Sequence, residues 1–424
     1  MSTSPVAGPG SPGRTRYAAL FAVTEFRAVF AAHLLSLLGV VVSELALTVL
    51  VYDLTRSPLL SALTFALGFL PYLLGGTLFA SVADRHPARR VLVVCDLLCA
   101  GCVAVMLLPG TPVGGLLALR CAVAAIAPVF TGTRMAALTD ILGDGELFVL
   151  GRSLLRIVSQ SAVLAGFGAG GLLLAAVSPR GAIAVTLGTF LCSAALLRFG
   201  TRSRPARAAS GGALLKDSLT AARRVFGDRR LRALMLLFWV PTGFVVAPEA
   251  LAAPYAERIG AGPAALGLLM CAMPVGHIAA ELYVGARLDA SARSKLVLPL
   301  GALGLLPLLG YAVTPGIAAS AVLLLLAGVA GAYVVGLDQW FVAAVPEDLK
   351  GSAMTLMTAG LMTVQGVGMA LAGLAAEFFP VAHVVAGAGV LGTVCSVALA
   401  VEVRRARGAS TVLRDGADHD VTAR

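Results

Sequence analysis

The 424-residue chain is 58% hydrophobic and only 13% charged, too apolar for a water-soluble globule, so lipid is its solvent. Its formal net charge of +10 does not point to nucleic acid, because the bases are confined to particular loops, and its seven scattered cysteines form no disulfide or metal framework. No phosphate-binding loop, nucleophile elbow or zinc-protease helix is present, which leaves an ATP-driven pump or a hydrolase without machinery and implies neither cofactor nor metal.

Residues 1–26 begin rich in Ser, Pro and Gly and read as a disordered tail, not a cleavable signal. Twelve apolar runs follow, near 28–52, 59–82, 91–108, 113–134, 154–177, 181–199, 233–254, 263–285, 296–313, 317–342, 352–376 and 382–401. Each has the length of a membrane-crossing helix. The runs are continuous in polarity, which favours helices over a barrel. The expected fold is therefore an all-α membrane protein of twelve transmembrane helices. Residues 27–200 and 233–402 form six-helix bundles, joined by a basic linker at 201–232 and followed by a tail at 403–424. Of the 32 Lys and Arg, only Arg56, Arg180 and Arg258 fall on the far side of this arrangement, and Arg120 falls inside a run. The positive-inside rule then places both termini and the basic loops in the cytoplasm of a multi-pass plasma (inner) membrane protein. Leu214 to Phe226, within the linker, reads as an amphipathic helix lying on anionic lipid.

The first run carries Glu44 about two thirds of the way outward, where an ionisable group is expensive unless it faces a cavity. Between the second and third runs stands Ala80-Ser-Val-Ala-Asp84-Arg85-His86-Pro87-Ala88-Arg89-Arg90. Gly285-Ala-Arg287-Leu-Asp289-Ala-Ser-Ala-Arg293 places an acid and a base in the matching loop of the second half, Asp289 being 205 positions after Asp84. Gln160 and Gln365 share that offset, as two parallel repeats require. The first loop resembles the Gly-x-x-x-Asp-Arg-x-Gly-Arg-Arg signature of the major facilitator superfamily of secondary transporters. Asp84, Arg85, Arg89 and Arg90 fit it, while Ala80, Pro87 and Ala88 depart from it. The phrase Pro248-Glu249-Ala-Leu-Ala-Ala-Pro-Tyr255 is similar to actinobacterial drug and natural-product efflux members.

That resemblance assigns expectations to the remaining elements. Asp96, at the start of the third run, is a polar group that helps hold the preceding loop. With Asp84, Arg85, Arg89, Arg90, Asp289 and Arg293 it forms a conformational gate. Arg120, in the fourth run, fits the arginine that efflux members carry there, and by depth its partner is Glu44. Gly166, Gly168, Gly170 and Gly171 resemble the exporter element of the fifth run, Phe167 standing in place of its proline, and allow a neighbouring backbone to approach. The seventh run holds Pro241, Pro248 and Glu249, a pattern suited to a bending, cavity-lining helix. His277 and Glu281 share a face of the eighth run as a local pair, two potential ligands without a third. Asp338 and Gln339, beside Trp340, bound the inner mouth of the cavity.

In this superfamily the first, fourth, seventh and tenth helices line the central cavity, and Glu44, Arg120, Glu249 and Asp338 fall one on each. The implied function is a monomeric, proton-coupled antiporter that exports a small hydrophobic or amphipathic molecule by alternating access. Its partners are that substrate, protons and membrane lipid, with no nucleic acid. A siderophore exporter or nutrient importer of the same fold is the alternative, and a non-transporting membrane scaffold or sensor is the alternative of another class.

Overall fold

The computed structural model describes residues 19–71, 86–143, 146–204 and 223–422, which are helical apart from short connections. We number the helices α1 to α12 by span: α1 Thr24–Thr55, α2 Pro58–Phe69, α3 Ala88–Met106, α4 Val113–Leu142, α5 Glu146–Ala176 and α6 Pro179–Gly200. In the second half, α7 comprises Arg229–Val245, Ala247–Ala250 and Ala252–Arg258, and α8 is Pro263–Arg287. Span α9 is Ala290–Leu303 continued by the 3-10 turn Leu306–Val313, α10 is Ile317–Ala330 and Tyr333–Ala344, α11 is Lys350–Phe378 and α12 is Val381–Thr422. Ten of these spans are long and apolar enough to cross a membrane. The other two of the twelve are α2, described over 12 residues, and α3, whose apolar length is interrupted by Arg89, Arg90 and Asp96.

The chain marks its own turns. Ser57 and Ser178 cap α2 and α6 through Leu60 N and Gly181 N, each followed by a proline whose missing N–H costs nothing in the first turn. Asp228 caps α7 through Arg230 N and Leu231 N. Three expectations shift. Helix begins at residue 19, inside the stretch expected as a disordered tail, and Leu20 and Phe26 are buried. The seventh and tenth runs are not continuous helices. Pro248 and Pro254 withhold backbone N–H donors and α7 breaks at Val246 and Leu251, while α10 breaks at Gly331–Ala332. The last helix continues through the expected tail to Thr422. The middle of the linker, 205–222, lies outside the described residues.

The two halves repeat one set of contacts. Helix α1 packs on α5 and α6 as α7 packs on α11 and α12; α3 packs on α4 and α6 as α9 packs on α10 and α12; α2 meets α4 as α8 meets α10. Between the halves, α2 packs on α11 and α5 on α8, again a pair related by the repeat. Lipid offers no hydrophobic driving force between helices, so such contacts depend on close packing and hydrogen bonds.

The recorded close approaches between halves gather at the end that carries Arg56 and Arg258, which we call the Arg-poor end. There a Cβ added to Gly171 would lie 2.6 Å from Gly267 Cα, so two backbones touch where any side chain would force them apart. One added to Gly373 would lie 2.6 Å from Ala62 Cβ and 3.0 Å from Leu59 Cα. Arg56 pairs with Glu257 across the halves, and Glu377 accepts from Ser57 Oγ and from Leu59 N. The Arg-poor end is thus shut.

Replacing Gly171 with valine should hold this end open. In a cysteine-free background, oxidative cross-linking of Arg56→Cys to Glu257→Cys should proceed readily and fall several-fold when Gly171→Val is added; an unchanged yield would show that the glycine contact does not govern closure.

Candidate functional site

Below the closed end, between the halves, lies a cavity of about 550 Å³ with a mostly apolar lining. Its polar contributors include Glu44 from α1, Arg120 from α4, Thr242 and Glu249 from α7, His277 from α8 and Gln365 from α11. This is the size and character of a small-molecule site.

Glu44 and Arg120 form a buried ion pair, with side chains 12% and 7% exposed. Arg120 Nη2 donates to Glu44 Oε1, and Arg120 Nε donates to the Thr64 carbonyl of α2 at 3.2 Å. Thr48 anchors the same region: its hydroxyl donates to the Glu44 carbonyl at 2.8 Å and meets the Thr64 hydroxyl. Gly68 of α2 covers the pair closely, since a Cβ there would fall 2.2 Å from Arg120 Nη2 and 2.9 Å from Glu44 Oε1. Three helices therefore hold one ion pair, each buried charge matched by the other in place.

Glu249 sits in the short piece Ala247–Ala250, between the two breaks of α7. Among the described residues no ion pair or hydrogen bond reaches its carboxylate, and it lines the same cavity as Glu44. The cavity thus sets two carboxylates against one guanidinium. With all three ionised it carries one negative charge; one bound proton makes it neutral. An ionised carboxylate without a counter-ion is costly in so apolar a space.

Other polar groups complete the wall. His277 Nε2 lies 3.4 Å from Glu281 Oε1, one turn on in α8. The Thr242 hydroxyl donates to the Phe238 carbonyl at 2.7 Å. Gln365 Oε1 is buried with no partner among the described residues. Thr242 and Gln365 escape notice in the sequence because neither carries charge; the offset Gln365 shares with Gln160 is the one signal that marked it. Among the described residues no cluster of three or more His, Cys, Asp or Glu could hold a metal.

The remaining expected residues sit elsewhere. Asp338 is exposed and, with Gln339, is not among the residues lining this cavity. The lining of α10 ends at Val334, one turn before Asp338 on the same face. Asp96 does not reach toward Arg90. It is buried against α1 and α6, accepting from Ser193 at 2.5 Å and Ser36 at 3.3 Å. Arg89 donates to the Thr201 carbonyl at 3.1 Å and Arg90 is exposed. Asp289 and Arg293 serve helix ends instead of each other: Asp289 accepts from Ala292 N at 2.7 Å, and Arg293 donates to the Gly285 and Leu288 carbonyls at 2.8 and 2.9 Å. Asp84 and Arg85 lie outside the described residues. The glycines of α5 divide between two faces. Gly166 and Gly170 pack on Val41, Val42 and Leu45 of α1, whereas Gly168 and Gly171 face Cys271 and Gly267 of α8, in an uninterrupted helix.

Solved structures share this architecture. A bacterial homolog of the human lysosomal transporter Spinster, in an inward-facing and unoccupied conformation, superposes with a TM-score of 0.60 at 15% identity, over 94% of this chain and 96% of that one. The nucleoside transporter NupG gives 0.68 at 14%, over 89% and 98%. A POT family transporter in complex with a thioalcohol-conjugated peptide gives 0.67 at 12%, over 90% and 96%. At these identities the likeness is one of fold. No curated protein matches the chain in sequence. Residues 29–248, just over half of the chain, match the family model of the Major Facilitator Superfamily. With its twelve helices in two equivalent halves around a polar-floored cavity, the chain belongs to that superfamily of transporters.

Proposed function

We propose that the protein is a proton-coupled antiporter that exports a small amphipathic molecule across the plasma membrane, with the Arg-rich end and both termini in the cytoplasm. The observation that carries this reading is the Glu249 carboxylate, without a counter-ion beside the Glu44–Arg120 pair. A cavity one negative charge in excess is stable with a proton on Glu249 or with a substrate that displaces that proton. It is unfavourable with neither. The empty, ionised carrier therefore does not return, and each outward passage of substrate is tied to an inward passage of a proton. One proton entering for one substrate that takes over its positive charge moves no net charge, so the pH gradient drives the exchange, each tenfold difference in proton concentration supplying about 1.4 kcal/mol without ATP.

Two further features support this direction and cycle. The glycine element of α5 and the Pro248–Tyr255 phrase resemble those of efflux members. The shut Arg-poor end corresponds to the stage at which the cavity takes up cytoplasmic substrate. The second gate is assigned to the Arg-rich loops with Asp84, Arg85 and the exposed Arg90. In this conformation Arg89 and Arg293 are engaged with carbonyls of their own halves.

In energised inside-out vesicles, a panel of amphipathic compounds should include some that dissipate the imposed pH gradient through the wild-type protein, and Glu249→Gln should lose that response while remaining folded. A Glu249→Gln protein with full substrate-dependent proton movement would reject the assignment. Glu44→Gln should likewise abolish proton-coupled efflux.

Stability should separate the pair from the lone acid. Arg120→Met leaves Glu44 buried and uncompensated, at a cost of about 3–5 kcal/mol. Adding Glu44→Gln should restore much of the lost thermal stability in detergent, so that the double variant melts above the single one.

A further inference from the structure

The hydrogen-bonding capacity left free in the cavity identifies a class of substrate. Arg120 turns its Nη2 to Glu44 and its Nε to the Thr64 carbonyl, so its positive charge is matched within the wall. The Thr242 hydroxyl has given its proton to the Phe238 carbonyl, so toward the cavity its oxygen can only accept. Gln365 Oε1 is buried and receives no hydrogen bond among the described residues. Glu249 brings a carboxylate, acceptor-only when ionised, that no described group contacts by hydrogen bond or ion pair. The ionisable groups around it are Glu44 and Arg120, which neutralise each other, His277, which faces Glu281, and Tyr255 and Tyr311, which share a smaller pocket with it. What the wall lacks is one positive charge to meet the Glu249 carboxylate.

We propose that the cavity selects amphipathic organic ammonium ions that carry at least one N–H, and discriminates against quaternary ammonium and anionic compounds of the same size. The charged N–H satisfies Glu249 directly, and such charge-assisted bonds are the strong ones. A quaternary nitrogen holds the same charge but its alkyl shell keeps it from donating, so the acceptors stay unmet on losing water. An anion would face a second negative charge with no free guanidinium to receive it. The apolar body of the ligand finds Phe69, Phe167 and Phe238 on the same wall, and 550 Å³ accommodates a drug-sized amine. This inference rests on the reading of Glu249 as the group that exchanges a proton for substrate, and names the chemistry that makes the exchange.

The test compares propranolol, a secondary amine protonated at neutral pH, with its N,N-dimethyl quaternary salt, binding being measured on the purified full-length protein with a pH indicator present. A second amine with an unrelated skeleton, amantadine, is run beside its trimethylammonium analogue. At least one amine should bind at least tenfold more tightly than its quaternary partner and release protons as it binds, and Glu249→Gln should lose both effects. Gln365→Leu should weaken amine binding while leaving proton release at saturation intact. Quaternary salts binding as tightly as the amines would overturn the proposal in favour of an aromatic cage for any cation, and failure of both amines to bind would overturn it outright. Amine-selective binding with no proton released would leave the amine site standing and reject the exchange at Glu249.

Discussion

The structure depends on one buried ion pair. Arg120 cannot shed its proton, so within the membrane it must be matched, and Glu44 matches it from another helix of the same half. Matching it also enlists α2, whose Thr64 carbonyl takes a bond from the guanidinium and whose Gly68 lies flat against the pair. Helix α2 is at the same time the element that seals against α11, through Ala62 and Leu59 at Gly373 and through Leu70 at Gly366. The charge state of the cavity floor and the closure of the Arg-poor end are thereby mechanically joined through one short helix.

The equivalent halves are not equally regular. In the first half α1, α4 and α5 run unbroken past the cavity, and the Glu44 and Arg120 side chains that line it satisfy each other. In the second half α7 and α10 are interrupted beside it, at Val246 and Leu251 and at Gly331–Ala332. Broken backbone at membrane depth is tolerated where it lines a cavity. Two cavity-lining groups without a partner among the described residues, the Glu249 carboxylate and Gln365 Oε1, belong to this half. The fixed half supplies a matched charge pair as background, and the interrupted half supplies the groups free to meet something else.

Much of this was legible before any coordinates. Spans follow from apolar length, the two halves from a shared offset, and the pairing of Glu44 with Arg120 from depth along antiparallel helices. What was not legible depends on local capping and on partners distant in sequence. Asp338, expected at the inner mouth, lies one turn beyond Val334, where the lining of α10 ends. Asp96 invites pairing with nearby arginines, but Ser36 and Ser193, far away in sequence, supply better partners in the interior. Asp289 and Arg293, expected in the gate, act in this conformation on the free N–H and carbonyl groups at helix ends, which every turn must satisfy. Gln365 is neutral, so no argument from the cost of burying charge could single it out.

The meeting of Gly171 with Gly267 bears on speed. Most interfaces reorder long side chains whenever they part or rejoin, at roughly 0.5–1.5 kcal/mol for each flexible one. At this seam there are no rotamers to reorder, so the two main chains can separate and re-register with little lost or regained order. A transporter that turns over repeatedly gains there one contact that needs no resetting, beside the Arg56–Glu257 pair whose long side chains must part and rejoin.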